Sequence, residues 1–379
     1  MISVSTKKTQ MNINKKKVVV GMSGGVDSSV AACLLLQQGY DVIGVTMQIW
    51  QEEAEAVMSE NGGCCGLSAV EDARRVSAKL GIPYYVMNFR REFEQQVIDY
   101  FVREYQLGRT PNPCIACNRY VKWEALLNRS LSIGAEYIAT GHYARIEQLA
   151  NGRYTIRNSA DAGKDQTYAL YNLTQEQLAH TLMPDGDYTK TQIRQLAEEL
   201  ELPVAHKPDS QEICFIPDHD YAAYIETRTG GKSTARPGNF VDREGHILGT
   251  HQGITHYTIG QRKGLGIAAA YPLYVTDIDA ASNTITLGPR AALDVAAFSG
   301  TDACWVGGEP PASTFRAEAC IHYQGPRCPV EVHVQPKGRV SIVPLRPLQA
   351  VTPGQAVVFY SGDEVLGGAT IAREEVTGA

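Results

Sequence analysis

Val18-Val19-Val20-Gly21-Met22-Ser23-Gly24-Gly25-Val26-Asp27-Ser28-Ser29 is an apolar run that breaks into a Ser-Gly-Gly turn. The turn hands an Asp and two Ser to a helix expected over residues 30–38, with Gly39 as its stop. Adjacent glycines let backbone N–H groups converge on an anion, and a helix N-terminus adds partial positive charge. The stretch therefore predicts a strand–loop–helix that holds phosphate. It is not a Walker A loop, because no Lys follows the glycines. Gly231-Lys232-Ser233 does not supply one, since Glu226 stands where that motif needs its first glycine.

Working outward, residues 41–47 predict a second buried strand, which closes a βαβ unit and implies a parallel sheet. Residues 51–66 interrupt the pattern with Glu-rich and Gly-rich runs. A helix is expected over 67–80, a strand over 84–87, a helix over 91–105, a strand over 136–140 and a helix over 188–202. This alternation predicts a doubly wound α/β domain whose ligands sit at the carboxyl ends of the strands. Beyond residue 217 the texture becomes Gly-rich and Thr-rich with short strands. From about residue 285 it alternates like a small all-β barrel.

The 379 residues are 44% hydrophobic and 20% charged, an ordinary globular balance for two or three domains. No apolar run is long enough to span a membrane, and there is no secretory signal pattern. The net charge of −6 argues against indiscriminate coating of nucleic acid. Between residues 315 and 350, however, five Lys or Arg stand against two Glu, a basic face that suits either a nucleic-acid backbone or an ordinary β surface. Residues 1–16 read as a disordered basic tail. Nine Cys, an odd number that includes a C-x-x-C pair, point to intracellular thiol, redox or metal chemistry.

That pair lies in Thr110-Pro111-Asn112-Pro113-Cys114-Ile115-Ala116-Cys117-Asn118. The prolines make a rigid loop that hands Cys117 to a helix expected over 119–129, where the helix N-terminus favours its thiolate. A nucleophile or redox thiol, an iron–sulfur ligand and a zinc ligand all fit, although no second C-x-x-C completes a zinc knuckle. Cys214 stands in a polar loop between prolines with Asp209 and Glu212 nearby; Cys33 falls in an apolar helix and reads as core.

The opening string resembles the PP-loop, S-G-G-x-D-S, of ATP pyrophosphatases. With TPNPCIACN (110–118), ATGHYA (139–144), KDQTY (164–168), DSQEICFIP (209–217) and YTIGQRKGLGI (257–267), the chain resembles the tRNA-specific 2-thiouridylase family from about residue 17 to its end. The resemblance implies a PP-loop catalytic domain over 17–217, a central tRNA-contacting domain over 218–282 and a C-terminal β-barrel over 283–379. It implies an enzyme that uses ATP with Mg2+ to adenylate the C2 oxygen of the wobble uridine in tRNA, releasing pyrophosphate, before sulfur displaces AMP. Cys214 matches the persulfide carrier. Cys117 matches the nucleophile that forms a disulfide with it, and Asp27 joins the catalytic set. Gly21, Met22, Ser23, Gly24, Gly25, Val26, Asp27, Ser28, Met47 and Gly141 match ATP contacts.

Asn112, Pro113 and Cys114 match the loop beside the target base, and His142, Lys164, Asp165, Gln166, Tyr323, Gln324 and Gln355 match tRNA contacts. Some relatives carry Asp where this chain has Cys114, and a thiol does not inherit that general-base role. Cys114, Cys117 and Cys214 would alternatively ligate three irons of a 4Fe-4S cluster. The implied partners are tRNA and a sulfur-donor protein, a cysteine desulfurase or a relay carrier, in the cytoplasm. The rival reading is another PP-loop synthetase that adenylates a small molecule.

Overall fold

The computed structural model describes residues 15–49, 67–209, 213–216, 220–230 and 236–373. Nearly all of the expected basic tail, the interruption at 51–66 with Cys64 and Cys65, and Gly231-Lys232-Ser233 lie outside them.

Val18, Val19 and Val20 are wholly buried, as an apolar run must be when helices cover both faces of a parallel sheet. They form β1 (Lys17–Gly21), flanked by β2 (Asp41–Gln48) and then β3 (Tyr84–Asn88) on one side, and by β4 (Tyr137–Ala139) on the other. The register sets Val19 opposite Ile43 and Val20 opposite Ala139. Chain order therefore reverses between β1 and β4, and such a switch point opens a crevice at the strand ends. The Ser-Gly-Gly loop leaves β1 there, and Gly141 follows β4.

Helix α1 (Val26–Gln37) starts at Val26, earlier than expected, because Gly25 is the extended N-cap and Gly24, at φ +70°, turns the chain into it. Asp27, Ser28 and Ser29 thus occupy the first turn. Gly39, at φ +91°, follows the helix end as expected. Helix α2 (Leu67–Leu80) keeps its expected bounds. Helices α3 (residues 90–106) and α4 (residues 113–132) each include a π-wound stretch, Glu94–Ile98 and Cys117–Leu126. Helix α4 begins at Pro113, not Arg119: Asn112 Oδ1 accepts from the N–H groups of Cys114 and Ile115, and proline suits the first helical position.

Next come β5 (Ala144–Gln148) and β6 (Tyr154–Asn158), a hairpin, then α5 (Gln175–Ala179). The parallel sheet ends with β7 (Thr181–Leu182), followed by α6 (Lys190–Glu199). Beyond α7 (Tyr221–Thr229), β8 (Gly238–Val241), β9 (Ile247–His251), β10 (Tyr274–Asp279) and β11 (Thr284–Gly288) form a four-stranded sheet over Phe240, Val275, Ile285 and Leu287. The last strand pairs with β10 and β8, although the sequence assigned it to the barrel.

The barrel comprises β12 (Phe298–Trp305), β13 (Thr314–Cys320), β14 (Cys328–Gln335), β15 (Arg339–Pro344), β16 (Ala356–Ser361) and β17 (Glu364–Ile371). Pairing of β12 with β17 closes the ring. The β5–β6 hairpin from the α/β half joins the same sheet, with Ile156 opposite Val365. No helix among the described residues is long and apolar enough to cross a membrane.

Candidate functional site

The switch point holds a cavity of about 180 Å³. Gly21, Met22, Ser23, Asp27 and Ser28 form one wall, Met47 stands beside them one residue before the end of β2, and Gly141 and His142 come from the turn after β4. Gly24, Gly25 and Val26 build the turn behind it. A Cβ on Gly24 would lie 2.3 Å from the Ala69 carbonyl oxygen, and one on Gly141 would lie 2.6 Å from the Ser28 nitrogen. Close backbone approach therefore requires glycine at both positions. Within the loop, the Ser23 N–H donates to Ser28 Oγ at 3.2 Å and Ser29 Oγ to the Gly25 carbonyl at 2.7 Å.

Charge gathers behind this wall. Asp27 Oδ1 accepts from Tyr143 Oη at 2.8 Å and from Lys190 Nζ at 2.7 Å. Lys190 also pairs with Asp209 at 2.7 Å, and Asp209 takes Arg194 and Lys164, each at 2.8 Å. Burial pushes against ionisation of Asp209, yet hydrogen bonds from Lys164 and Lys190 hold its carboxyl below the usual value. Lys207 donates to the Gly24 carbonyl at 3.1 Å and to Asp72 at 2.7 Å. Asp185 is completely buried and neither of its carboxylate oxygens has a hydrogen-bond partner among the described residues. Burial, then the charge of Asp27, raises its pKa well above the ordinary carboxyl value. Sequence reasoning missed Lys190, Lys207, Asp72 and Asp185, which come from unrelated segments that carry no local motif, and gave no role to Tyr143, which lies inside ATGHYA (139–144).

Helix α4 brings Lys122 to the same cavity. Its ammonium donates to Asn118 Oδ1 at 2.8 Å and lies 3.5 Å from His142 Nε2, while His142 Nδ1 sits 2.7 Å from Thr140 Oγ1. Burial, reinforced by the Lys122 charge, keeps His142 neutral. Its Nε2 lone pair then faces the ammonium, and Nδ1–H donates to Thr140. Lys122 therefore presents a cation to the cavity with only neutral partners among the hydrogen bonds described.

The early start of α4 changes which thiol feels the helix end. Cys114 is in the first turn with its N–H capped, and Cys117 lies further in, at the start of the π-wound stretch. The Asn112-Pro113 pair was the signal for this start. Cys114 is exposed, whereas Cys117 and Cys214 are half-buried. The latter two border the same apolar cluster, into which Phe215 packs against Phe93 and Phe101. Cys33 is buried in the core and burial pushes its thiol up to about 11, as suits an inert side chain. Among the described residues, only Asp242, Glu244 and His246 bring three such ligand atoms within 4.8 Å of one another. The three thiols thus do not converge as a single zinc ion requires; a cubane cluster spreads its ligands wider.

The expected RNA-contacting residues fall into two groups. Lys164 pairs with Asp209, and Asp165 accepts from the backbone of Ser159 and Thr167, shaping its own turn. Gln166 lines the cavity, where its Oε1 accepts from the Tyr143 N–H at 3.0 Å. From the barrel, Gln324 donates to the Gly163 carbonyl at 2.9 Å, and Gln355 to the Thr110 carbonyl at 3.0 Å. Tyr323 is half-exposed near Gln166 and Cys114. Barrel loops therefore reach the thiol loop.

Residues 16–218 match the tRNA methyl transferase HUP domain family, 230–289 the tRNA methyl transferase PRC-barrel domain, and 295–371 the aminomethyltransferase beta-barrel domain. The chain is 58% identical over 365 residues to the tRNA-specific 2-thiouridylase MnmA of Lachnoclostridium phytofermentans, covering 94% of this chain and 100% of the relative. It is 55% identical over 360 residues to that of Acetivibrio thermocellus, covering 95% and 100%. Among solved structures, a 4-thiouridine synthetase–RNA complex with bound ATP aligns at 18% identity and TM-score 0.33, over 57% of this chain and 50% of that one.

Proposed function

Because the chain belongs to the tRNA-specific 2-thiouridylase family, a family of ATP-using tRNA sulfurtransferases, we propose that its switch-point cavity binds ATP beside the wobble uridine and that sulfur reaches C2 through Cys214 and Cys117. The observation that carries this reading is the meeting of the Ser-Gly-Gly loop with α4, the helix that bears both Cys117 and Lys122, around one cavity.

A uracil carbonyl oxygen is a poor leaving group, and AMP is a good one. The C2 oxygen attacks the α-phosphorus and pyrophosphate departs. The loop N–H groups, the α1 N-terminus and Lys122 face the charge that develops on phosphate. The terminal sulfur of a Cys214 persulfide then attacks C2 and AMP leaves. The Cys117 thiolate attacks Cys214 Sγ, the S–S bond to the uridine sulfur breaks, and 2-thiouridine departs. The two cysteines are left as a disulfide: they lose the two electrons that the transferred sulfur gains. The second reading takes Cys114, Cys117 and Cys214 as ligands of a 4Fe-4S cluster with one iron open to sulfide. The donor set fits, because two thiolates come from the first turns of α4, the third from the Cys214 segment that borders the same apolar cluster, and Cys114 replaces an acid. His142, Lys164, Asp165, Gln166, Tyr323, Gln324 and Gln355 are proposed as tRNA contacts, and Asn112 and Pro113 as neighbours of the target base.

Mass spectrometry of tRNA digests, after incubation with ATP and a sulfur donor, tests the function. Wild type should add one sulfur to the wobble uridine, and Cys117→Ser or Cys214→Ser should abolish the addition while ATP–pyrophosphate exchange with tRNA survives. Exchange at full rate without RNA sinks the reading. Thiolation that requires iron, with Cys114→Ser as inactive as the other two, selects the cluster.

A further inference from the structure

Helix α4 separates two cavities. Lys122 faces the first. Ile115, Ala116, Arg119 and Tyr120 face a second, of about 350 Å³, at the seam with the barrel. Tyr100 and Arg103 of α3 line its near side, and Gly354 and Ala356 its far side. Asn172 also lines it. The residue is only 5% exposed, yet its Oδ1 accepts no hydrogen bond from the described residues. A buried acceptor without a donor costs stability, so its retention points to a donor supplied from outside. Arg103 and Arg119 form no ion pair among the described residues. Each guanidinium lies over a tyrosine instead, at 5.9 Å from Tyr100 and 5.1 Å from Tyr120. Among the described residues the one carboxylate on the lining is that of Asp302.

We propose that this second cavity holds an unstacked nucleotide of the RNA substrate next to the target base, with Asn172 Oδ1 accepting a base N–H, a tyrosine ring under the base and the two guanidiniums on phosphate. The proposal rests on the reading of RNA as substrate. Aromatic rings, guanidiniums and an amide are the groups that hold splayed RNA bases, and the volume suits one nucleotide. The cavity also borders Asn112, proposed above as a neighbour of the target base, so one RNA strand reaches both sides of α4.

The test titrates full-length protein with an anticodon stem-loop RNA. Asn172→Leu removes the acceptor at similar volume. It should weaken RNA binding about tenfold, as loss of one buried hydrogen bond does, while ATP affinity and the unfolding midpoint hold or the midpoint rises. Arg119→Gln should reduce the slope of log K against log salt by about 0.7. Abasic substitution at one loop position beside the target should weaken wild type by a similar factor and add little to Asn172→Leu. Wild-type RNA affinity in Asn172→Leu with a lowered midpoint overturns the proposal and makes Asn172 structural. Additive losses at every abasic position overturn it as well. Failure of wild type to bind or thiolate any RNA overturns the functional reading, an outcome visible without either variant.

Discussion

Asp185 carries a carboxyl that no donor among the described residues reaches, buried near Asp27 of the Ser-Gly-Gly loop's helix. Its folded pKa lies well above the ordinary value of 3.8. As pH rises past about 4, the unfolded chain releases this proton and the folded chain keeps it. Folding stability then declines by up to about 1.4 kcal/mol per pH unit until the folded pKa is reached. Asp209 has the opposite sign. Its depressed pKa adds stability that is present at neutral pH and lost as pH falls through the folded value. Asp185→Asn, a neutral group of the same shape, should gain about 1–3 kcal/mol at pH 7 and flatten the decline, as read by denaturant titration across pH 4–8. Equal stability of the two proteins at every pH would contradict the buried carboxyl. Such a residue was not legible in the sequence: nothing in Pro184-Asp185-Gly186 distinguishes it from a surface turn, and the packing of α1 and β5 against that turn makes it buried.

At the scale of elements, β1 and β2 were legible because runs buried on both faces are uniformly apolar. Helix α4 was legible in existence and misplaced in its start. The Asn-Pro cap outranked the more helix-like residues that follow it, and this moved the helix end from Cys117 to Cys114. Asn112→Ala should cost about 1 kcal/mol of stability, and Asn112→Asp, another good cap, should recover most of it. Recovery of stability without recovery of thiolation would separate Asn112's capping role from its proposed place beside the base. Asn118 and Lys122, four residues apart, meet on one face of α4 beside the switch-point cavity, while Ile115 and Arg119, also four apart, meet on the face toward the second cavity.

For the whole molecule, the sequence indicated three consecutive units, and the structure interleaves two of them. The β5–β6 hairpin leaves the α/β half and joins the barrel sheet, where Arg157 and Arg145 reach Asp363 at 2.8 and 3.3 Å. Tyr168, buried at the same seam, donates to the Ala356 carbonyl at 2.9 Å and lies 3.3 Å from that of Ile321. The pairing of Ile156 with Val365 was not readable, since strands so far apart in the chain leave no local mark of their partner. Tyr168→Phe should lower stability by about 1–3 kcal/mol and, because the bonds cross the seam, split one calorimetric transition into two. A single transition with an unmoved midpoint would remove Tyr168 from the coupling.

The strand that closes the barrel and covers the β6 edge is also the last described strand of the chain, β17. During synthesis the α/β half emerges first, with one hairpin edge bare. That edge has no partner until residues 364–371 leave the ribosome. Until then the bare edge is the place where a chaperone, or a second nascent chain, would pair.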